Sequence, residues 1–365
     1  MKKNILRVVL FLLYPVSLAA VSFAKANPQA VEKWYSSSVY PAVTPLISGI
    51  TAFFGFSLAE IILVTVPVLL FIYLTAKVIF FIKQKTAFKK VLKAIAAFAV
   101  NVLCGLSLLY FLFIFLWGLN YYRPKLNDIA GFNTQNITVS ELLAVCENLA
   151  ANLNAVRKNL SEDENGVMVL SRSKSGINTA AIAGYENLRR NYGGWIKGVP
   201  KRAKEVILSV PLSYLDIAGI YIPHTAEPNY NANVPDHTKP NTVCHEQAHQ
   251  LGFAREDEAN FVSFLACVNS GDDDFVYSGL MLAFIHTSNA LYRADAESYG
   301  KITGLLSESV LRDIRANNEF WKKYEGKASE ISNKANDSYL KSNGQAEGVK
   351  SYGQMVDLVV AYYRE

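Results

Sequence analysis

Cysteine, histidine and charged residues are all scarce in this chain of 365 residues. Its four cysteines are too few and too irregularly spaced for a disulfide scaffold. Charged residues make up only 18% of the chain and hydrophobic residues 51%, a balance that excludes intrinsic disorder. The net charge of +5 is small, and we expect no nucleic-acid partner. The mean hydropathy of +0.15 is high for a soluble protein, which indicates that apolar residues are concentrated in some part of the chain.

Three long apolar runs in the first third of the chain account for this excess. The third run, 94–119, has no charged residue over 26 positions. It would form about 39 Å of helix, more than the ~30 Å that a bilayer core requires. The first run, 8–24, belongs either to a membrane helix or to a cleaved signal peptide, and the two later runs favour its retention. The sequence therefore predicts transmembrane helices in 1–26, 61–82 and 94–119.

Lysines between the second and third runs determine the predicted orientation. The loop 83–93 contains five lysines and no acidic residue. Because basic residues accumulate on the cytoplasmic side, this loop and the amino terminus are predicted to lie inside. The stretch 25–60, whose charges cancel, then faces outward, and we expect the connector 27–60 to be extended or interfacial. Residues 120–365 form an extracytoplasmic domain whether or not the first run is cleaved.

Helical periodicity dominates the domain that begins at residue 120. A helix over 138–160 starts with a capping-box pattern, and a helix over 182–195 is stopped by two glycines. Strand signals are sparse and occur at 205–210 and 219–222, each followed by proline. Further helices are predicted over 241–252, 255–270, 275–296, 305–320 and 352–363. The predicted fold class is mainly α, with three transmembrane helices followed by an α+β domain that has a small sheet.

Two of the five histidines lie four residues apart, and an acidic residue directly follows the first. On a helix, His245 and His249 share one face about 6 Å apart, so both imidazoles can reach one tetrahedral ion. Glu246 projects beside that face, where it can take a proton from a zinc-bound water whose pKa is near ~7. Gly252 then allows the helix to end in a left-handed turn. A core helix with two hydrogen-bonded histidines is the alternative, but an acid between them makes a poor core face.

The segment after the histidines supplies carboxylates for a third ligand. Catalytic zinc commonly takes two histidines, one glutamate and water. Glu256 and Glu258 both qualify, but they lie about 200° apart on a helix at ~100° per residue and cannot both face the ion. Asn260, one turn after Glu256, could hydrogen-bond a ligating group, which favours Glu256 and leaves Glu258 open. We therefore expect Zn²⁺ to be held by His245, His249 and Glu256.

The run HEQAHQLGFAREDEANF resembles the zincin metallopeptidases of the gluzincin type. It is most similar to a bacterial family of uncharacterised membrane-anchored proteins with the pattern HExxHxxGFxxExEANF. Residues 117–124 and 336–356 also resemble that family, so the similarity covers most of the chain. In gluzincins the third ligand is a glutamate followed four residues later by an acid or amide, and Glu256 and Asn260 match that pair. The resemblance implies a zincin-like domain, a zinc ion and a bacterial cytoplasmic membrane location, but no substrate.

Three further side chains are candidates for stabilising an oxyanion. His286 lies on the helix after the motif, although a lone histidine on an apolar helix is more often a core residue. Tyr339 and Tyr352 belong to the carboxy-terminal motif, and neither stands out among 20 tyrosines. Residues 227–231 precede the metal helix, where zincins place the sheet edge along which a peptide lies.

Cys244 and Cys267 flank the segment that carries the histidine motif. Facing outward from the cell, they could form a disulfide. As buried free cysteines they would need no special explanation. The sequence leaves both interpretations open.

Together these patterns predict a membrane-anchored zinc metallohydrolase, and a peptidase in particular. Glu246 would activate the water and pass its proton to the leaving amine. The expected partners are a peptide or protein substrate and the lipid bilayer, and the oligomeric state is left open. An intramembrane protease would need its metal helix in an apolar span, whereas polar segments flank this motif. The alternative is a non-catalytic zinc-binding sensor or scaffold, which has no need of a carboxylate at the position of Glu246.

Overall fold

Helices form the amino-terminal third of the computed structural model, which describes residues 2–364 and the side chains of residues 4–364. They are α1 (Lys2–Ala26), α2 (Pro28–Ala30), α3 (Tyr40–Thr51), α4 (Leu58–Lys83) and α5 (Phe88–Leu116), with a π-helical segment at Val31–Val39. Helices α1, α4 and α5 are long and apolar enough to cross a membrane. Met1 and Glu365, at the ends of the predicted segments 1–26 and 120–365, lie outside the described residues, as do the side chains of Lys2 and Lys3.

The lysine-rich loop and the connector are more helical than the sequence suggested. Helix α5 begins at Phe88 because lysine is a strong helix former and continues the helix into the loop 83–93. The connector is helical from Pro28 to Thr51, so an extended conformation is wrong for this stretch. Its prolines at 28 and 41 stand in the first turns of α2 and α3, where a missing N–H breaks no helical hydrogen bond.

Eleven helices and a small sheet make up the rest of the described chain. The capping box predicted for the helix over 138–160 is present, with both reciprocal hydrogen bonds between Thr138 and Glu141. The helices are α6 (Leu126–Ala130), α7 (Val139–Arg157), α8 (Lys174–Tyr192), α9 (Ser209–Tyr214), α10 (Lys239–Gln250), α11 (Glu256–Val268), α12 (Asp273–Ala294), α13 (Ala296–Thr303), α14 (Glu308–Tyr324), α15 (Lys327–Ser342) and α16 (Met355–Arg364). Short 3₁₀ turns occupy Gly118–Tyr122, Gly193–Trp195, Asp236–Thr238 and Gly348–Gln354.

Three short strands form one mixed sheet in the order β1 (Lys204–Val206), β3 (Glu227–Asn231), β2 (Gly219–Ile222). Strand β3 pairs in parallel with β1, through Lys204 and Asn229, and antiparallel with β2. All five residues of β3 are buried, so the segment 227–231 is the central strand and its expected position at the sheet edge is wrong. The strand predicted over 205–210 ends at Val206, because α9 begins at Ser209.

The core of the domain is built around α11, which packs between α8, α10 and α12. Residues 256–267 of α11 are all buried. A Cβ on Gly184 of α8 would lie 2.2 Å from the carbonyl oxygen of Ala266, so the close crossing of α8 and α11 requires glycine there. A Cβ on Gly279 of α12 would lie 2.6 Å from Cys267 Cβ. These two glycines let the neighbouring helices hold α11 in place.

A second apolar cluster joins the ends of α1 and α5 to the domain. It contains Tyr40, Trp117, Tyr121, Tyr221 and Ala254, all buried. At its border the Arg123 guanidinium pairs with the Glu32 carboxylate over 2.7 Å. The apolar helices are therefore packed directly against the turn between α10 and α11 rather than connected to it by a free linker.

Candidate metal centre

The site is built on a sharp turn between α10 and α11. Pro240 lies in the first turn of α10, and the helix ends after Gln250. Gly252 follows with a φ of +93°, which confirms the left-handed turn predicted from its position. A Cβ at this glycine would also lie 3.1 Å from the ring of Tyr40. The chain folds back at this point, so that α11 begins beside the histidine face of α10.

The structure brings His245, His249 and Glu256 together. Glu256 Oε2 lies 3.2 Å from His245 Nε2 and 3.5 Å from His249 Nε2. One potential ligand atom from each residue lies within 4.8 Å of the others. The two imidazole rings are 4.6 Å apart and nearly perpendicular. This grouping offers two nitrogens and one oxygen to a single ion.

Glu258 points away from this group. Its carboxylate accepts a hydrogen bond of 2.8 Å from the backbone N–H of Leu126 and lies 3.8 Å from Arg255 Nε. Burial and the neighbouring Asp257 raise the pKa of Glu258 to about 7. Of the two carboxylates that the sequence left open, Glu256 is the one that faces the histidines.

Backbone contacts orient His249 for ligation. Its Nδ1 donates a hydrogen bond of 2.7 Å to the carbonyl oxygen of Phe253, since a carbonyl can only accept. The neutral ring then keeps its lone pair on Nε2, the atom that faces Glu256. Trp117 Nε1 and the Tyr40 hydroxyl donate to the carbonyl oxygens of His249 and Gln250 over 3.1 and 3.0 Å. Neither of these two aromatic donors was predicted from the sequence.

Glu246 is buried beside the three grouped side chains. Its Oε2 makes no hydrogen bond within residues 4–364, an unusual state for a buried carboxylate. Burial raises its pKa to about 7, although the two histidines act in the opposite direction. A buried carboxylate with a free oxygen and a pKa near neutrality suits a general base.

Gly219, the first residue of β2, determines how closely the sheet approaches Glu246. A Cβ on Gly219 would lie 2.5 Å from Glu246 Oε1 and 2.8 Å from Thr242 Cγ2. Strand β2 can therefore pass over the carboxylate only because this residue has no side chain. Glycine within a strand often marks a close approach, and Gly219 begins the strand that the sequence predicts over 219–222.

Charge interactions within the site favour a protonated His249 and an ionised Glu256. Burial alone would lower the pKa of His249, but the Glu256 carboxylate raises it to about 9. Burial alone would raise the pKa of Glu256, but His249 and His245 hold it well below its usual range. A cation that binds here would therefore have to displace the proton of His249.

The three oxyanion candidates have different surroundings. The ring of Tyr352 is stacked on that of His245, with centroids 6.4 Å apart and planes 16° apart. Burial and the Glu256 carboxylate raise the pKa of Tyr352 well above its ordinary value. The Tyr339 hydroxyl accepts a hydrogen bond of 3.2 Å from Tyr121. His286 is partly buried on α12, and its pKa falls to about 4, mainly through burial.

Asn260 supports the site differently from the prediction. Its side-chain amide donates to the backbone carbonyl of Tyr352 over 3.1 Å, so the expected hydrogen bond to a ligating group is wrong. Gln345, which the sequence did not single out, accepts a hydrogen bond of 3.1 Å from the backbone N–H of Glu256. These two contacts hold the carboxy-terminal segment that carries Tyr352 against the start of α11.

The cysteines near the motif are free thiols. Cys244 and Cys267 are buried and unbonded, and a disulfide between them is absent from the described residues. Burial raises the pKa of the Cys267 thiol well above its ordinary value, and its hydrogen bond with the Cys244 thiol acts in the same direction. This contact joins α10 to α11.

Comparison with known proteins identifies the family. Residues 35–360 match the family model described as protein of unknown function (DUF3810). This range includes α4, α5, the sheet and every residue of the candidate metal centre. No curated protein and no solved structure matches the chain. The chain therefore belongs to the DUF3810 family.

Proposed function

We propose that this protein is a membrane-anchored zinc metallohydrolase that cleaves peptide bonds. The observation that carries the proposal is the unpartnered Oε2 of the Glu246 carboxylate beside the group His245, His249 and Glu256. A structural zinc site would use a closed set of four protein ligands and would have no use for that carboxylate. Three ligands with an adjacent general base are typical of hydrolytic zinc sites.

The donor atoms fit zinc. Two imidazole nitrogens and one carboxylate oxygen match the ligand preferences of Zn²⁺, whereas Ca²⁺ and Mg²⁺ prefer sites made of oxygen alone. When bound, the ion would supply Lewis-acid activation of a water molecule and of the scissile carbonyl. His249 would ligate through Nε2, because its Nδ1 is engaged with the carbonyl of Phe253.

Glu246 would move the proton in the reaction. Its free Oε2 accepts a proton from the attacking water, and the same oxygen returns that proton to the leaving amine. The raised pKa of the carboxyl, about 7, matches a group that must both accept and release a proton near neutrality. Tyr352, stacked on His245, is the best placed of the three candidates to donate a hydrogen bond to the developing oxyanion.

The apolar helices would place this chemistry outside a bacterial cytoplasmic membrane. Helices α1, α4 and α5 would each cross the bilayer, with the lysines of 83–93 on the cytoplasmic side. Three crossings from an inside amino terminus put residues 120–365 outside. A cysteine introduced after residue 130 should react with a membrane-impermeant maleimide in intact cells, and protection there would reverse the orientation.

The test uses the full-length protein purified in detergent. We expect about one zinc ion per chain by metal analysis and cleavage of casein or of quenched fluorescent peptides. Glu246→Gln should retain zinc and lose cleavage, while His249→Ala should lose both. Glu147→Gln, on the exposed face of α7, is the matched control and should behave as the parent.

Each other outcome contradicts a different part of the proposal. A folded parent without zinc would exclude the metal centre. Equal cleavage by the parent and Glu246→Gln would exclude the general base. Zinc binding without cleavage of any substrate by the parent would favour the alternative, a zinc-binding sensor or scaffold of the cell envelope.

A further inference from the structure

An uncharged apolar surface lies where the domain meets helix α4. Two segments form it, and neither 51–59 nor 206–215 contains a charged residue. We call it the outer apolar surface and define it by Phe53, Phe54, Phe56, Ile207, Leu208 and Val210, which are all exposed. Phe53 is 89% exposed and Ile207 is 73% exposed, values at which large apolar side chains are costly in water.

Hydrogen bonds hold this surface at one end of α4. The Glu60 carboxylate, in the first turn of α4, accepts hydrogen bonds from the backbone N–H groups of Ile207 and Leu208 over 3.0 and 2.7 Å. The three phenylalanines directly precede Ser57, the N-cap of that helix. The surface is therefore continuous with the apolar sides of α4, and it cannot swing away without breaking these bonds.

The depth of neighbouring contacts places this end of α4 near the bilayer boundary. The rings of Tyr73 and Phe98 stack with centroids 6.4 Å apart, which brings the two residues to the same level on α4 and α5. Eleven residues farther out, about 16 Å at ~1.5 Å per residue, are Ile62 on α4 and Leu109 on α5. His224 lies in the turn between β2 and β3, and its Nε2 donates a hydrogen bond of 3.1 Å to the carbonyl oxygen of Leu109.

The domain therefore contacts α5 at Leu109, a position inside the uncharged part of that helix. Lys93 is the last charged residue before the apolar part of α5, so the bilayer core begins there. A helix needs ~20 residues to cross that core, which places its outer boundary at Phe113, beyond Leu109. The turn at His224 and the start of α4 lie at or below that boundary. Helix α3 adds to the apolar contact, because its exposed Leu46 and Ile50 are spaced one turn apart and lead to Phe53.

A cavity of about 700 Å³ opens between the two segments of the surface. Phe54, Phe56 and Ile207 form its apolar part, and its polar part contains Arg202 and the ion pair of Lys174 with Glu205. Apolar side chains beside the arginine match the order of acyl chain and phosphate in a phospholipid. A protein partner would not require a basic residue at this particular depth, so Arg202 favours lipid.

We propose that the outer apolar surface is inserted into the outer leaflet of the bilayer, with Arg202 at the level of the lipid phosphates. The inference rests on the proposed crossing of the membrane by α4 and α5, and it goes beyond the metal centre. The domain is then held against the bilayer by its own surface as well as by the helices. Insertion fixes the tilt of the domain and restricts the site to substrates close to the membrane.

Spin labels on the full-length protein in phospholipid vesicles test this inference. Labels are placed through Ile207→Cys and Val210→Cys, and the four natural cysteines are buried. Leu69→Cys, 64% exposed midway along α4, is the membrane control, and Ile331→Cys, 68% exposed on α15, is the water control. We expect the ratio of collision rates with oxygen and with a nickel chelate at residues 207 and 210 to be several-fold above that at residue 331.

The controls separate the possible failures. Ratios at residues 207 and 210 equal to that at 331, with a lipid ratio at 69, would overturn the insertion of this surface alone. An aqueous ratio at residue 69 would overturn the crossing by α4 and with it the inference. Labels at 207 and 210 shielded from both reagents would show that a protein, such as a second copy, covers the surface, and would also overturn it.

Discussion

The indole N–H of Trp117 donates a hydrogen bond of 3.1 Å to the backbone carbonyl of His249. Trp117 directly follows Leu116, the last residue of the third apolar helix, and His249 belongs to the proposed ligand set. The indole and imidazole rings also meet edge to face, with centroids 5.8 Å apart. Helix α5 thereby supports the candidate metal centre directly, and the family match covers both.

Replacing Trp117 by phenylalanine should weaken the metal centre. The substitution keeps an aromatic ring but leaves the buried carbonyl of His249 without its indole donor, at a cost of about 1–2 kcal/mol. Thermal unfolding should report that loss, and competition with a chromogenic chelator should report weaker zinc binding. Trp34→Phe, at a residue that is 66% exposed, is the control. Equal zinc affinity in both variants would contradict the supporting role of Trp117.

Zinc binding should release about one proton from His249 at a pH near 7.5. The Glu256 carboxylate raises the pKa of this histidine to about 9, so the metal-free protein holds the proton that zinc must displace. The affinity of the protein for zinc should consequently fall as the pH is lowered. Calorimetric titrations in two buffers of different ionisation enthalpy measure the released protons, and a binding enthalpy that does not depend on the buffer would contradict this prediction.

Glu246→Gln should stabilise the metal-free protein at pH 8. Burial raises the pKa of Glu246 to about 7, whereas the unfolded chain ionises at an ordinary pKa near ~4.3. The parent therefore loses stability as the pH rises from about 4.3 to 7, because the unfolded state releases its proton first. Glutamine cannot ionise and avoids this loss. Thermal unfolding between pH 4 and pH 8 should show diverging profiles, and parallel profiles would exclude the raised pKa.

Gly219→Ala should impair catalysis without removing zinc. The new Cβ would lie 2.5 Å from Glu246 Oε1, so either the carboxylate or strand β2 must move. Displacing a general base by about 1 Å can cost roughly 100-fold in rate. Gly300→Ala on α13 is the control, since a Cβ there meets nothing within 4 Å. Unchanged turnover in Gly219→Ala would show that the position of Glu246 is unimportant.

Tyr352→Phe should lower kcat about 100-fold and leave KM nearly unchanged, as expected for the loss of one oxyanion donor. The stacked ring on His245 is retained in this variant, so zinc content should not change. Tyr339→Phe is the comparison, because the Tyr339 hydroxyl accepts a hydrogen bond from Tyr121. A larger loss from Tyr339→Phe than from Tyr352→Phe would reassign the oxyanion donor.

Much of the candidate site could be predicted because its signals are local. A spacing of four residues puts His245 and His249 on one helix face, and a glycine three residues later permits the left-handed turn. Local signals do not decide between Glu256 and Glu258 as the third ligand. It depends on the Leu126 N–H, which binds the Glu258 carboxylate from a segment 132 residues away in sequence.

The sequence by itself determined the three apolar helices, the mainly helical domain and the two histidines with their adjacent glutamate. Hydropathy and helical periodicity are properties of neighbouring residues, so they can be read without knowing the fold. Only the tertiary structure decided that 227–231 is the central strand, that Gly219 lies on Glu246 and that Trp117 binds His249. Those relationships join segments far apart in the chain, and their physical basis is long-range packing and pairing, which no local pattern encodes.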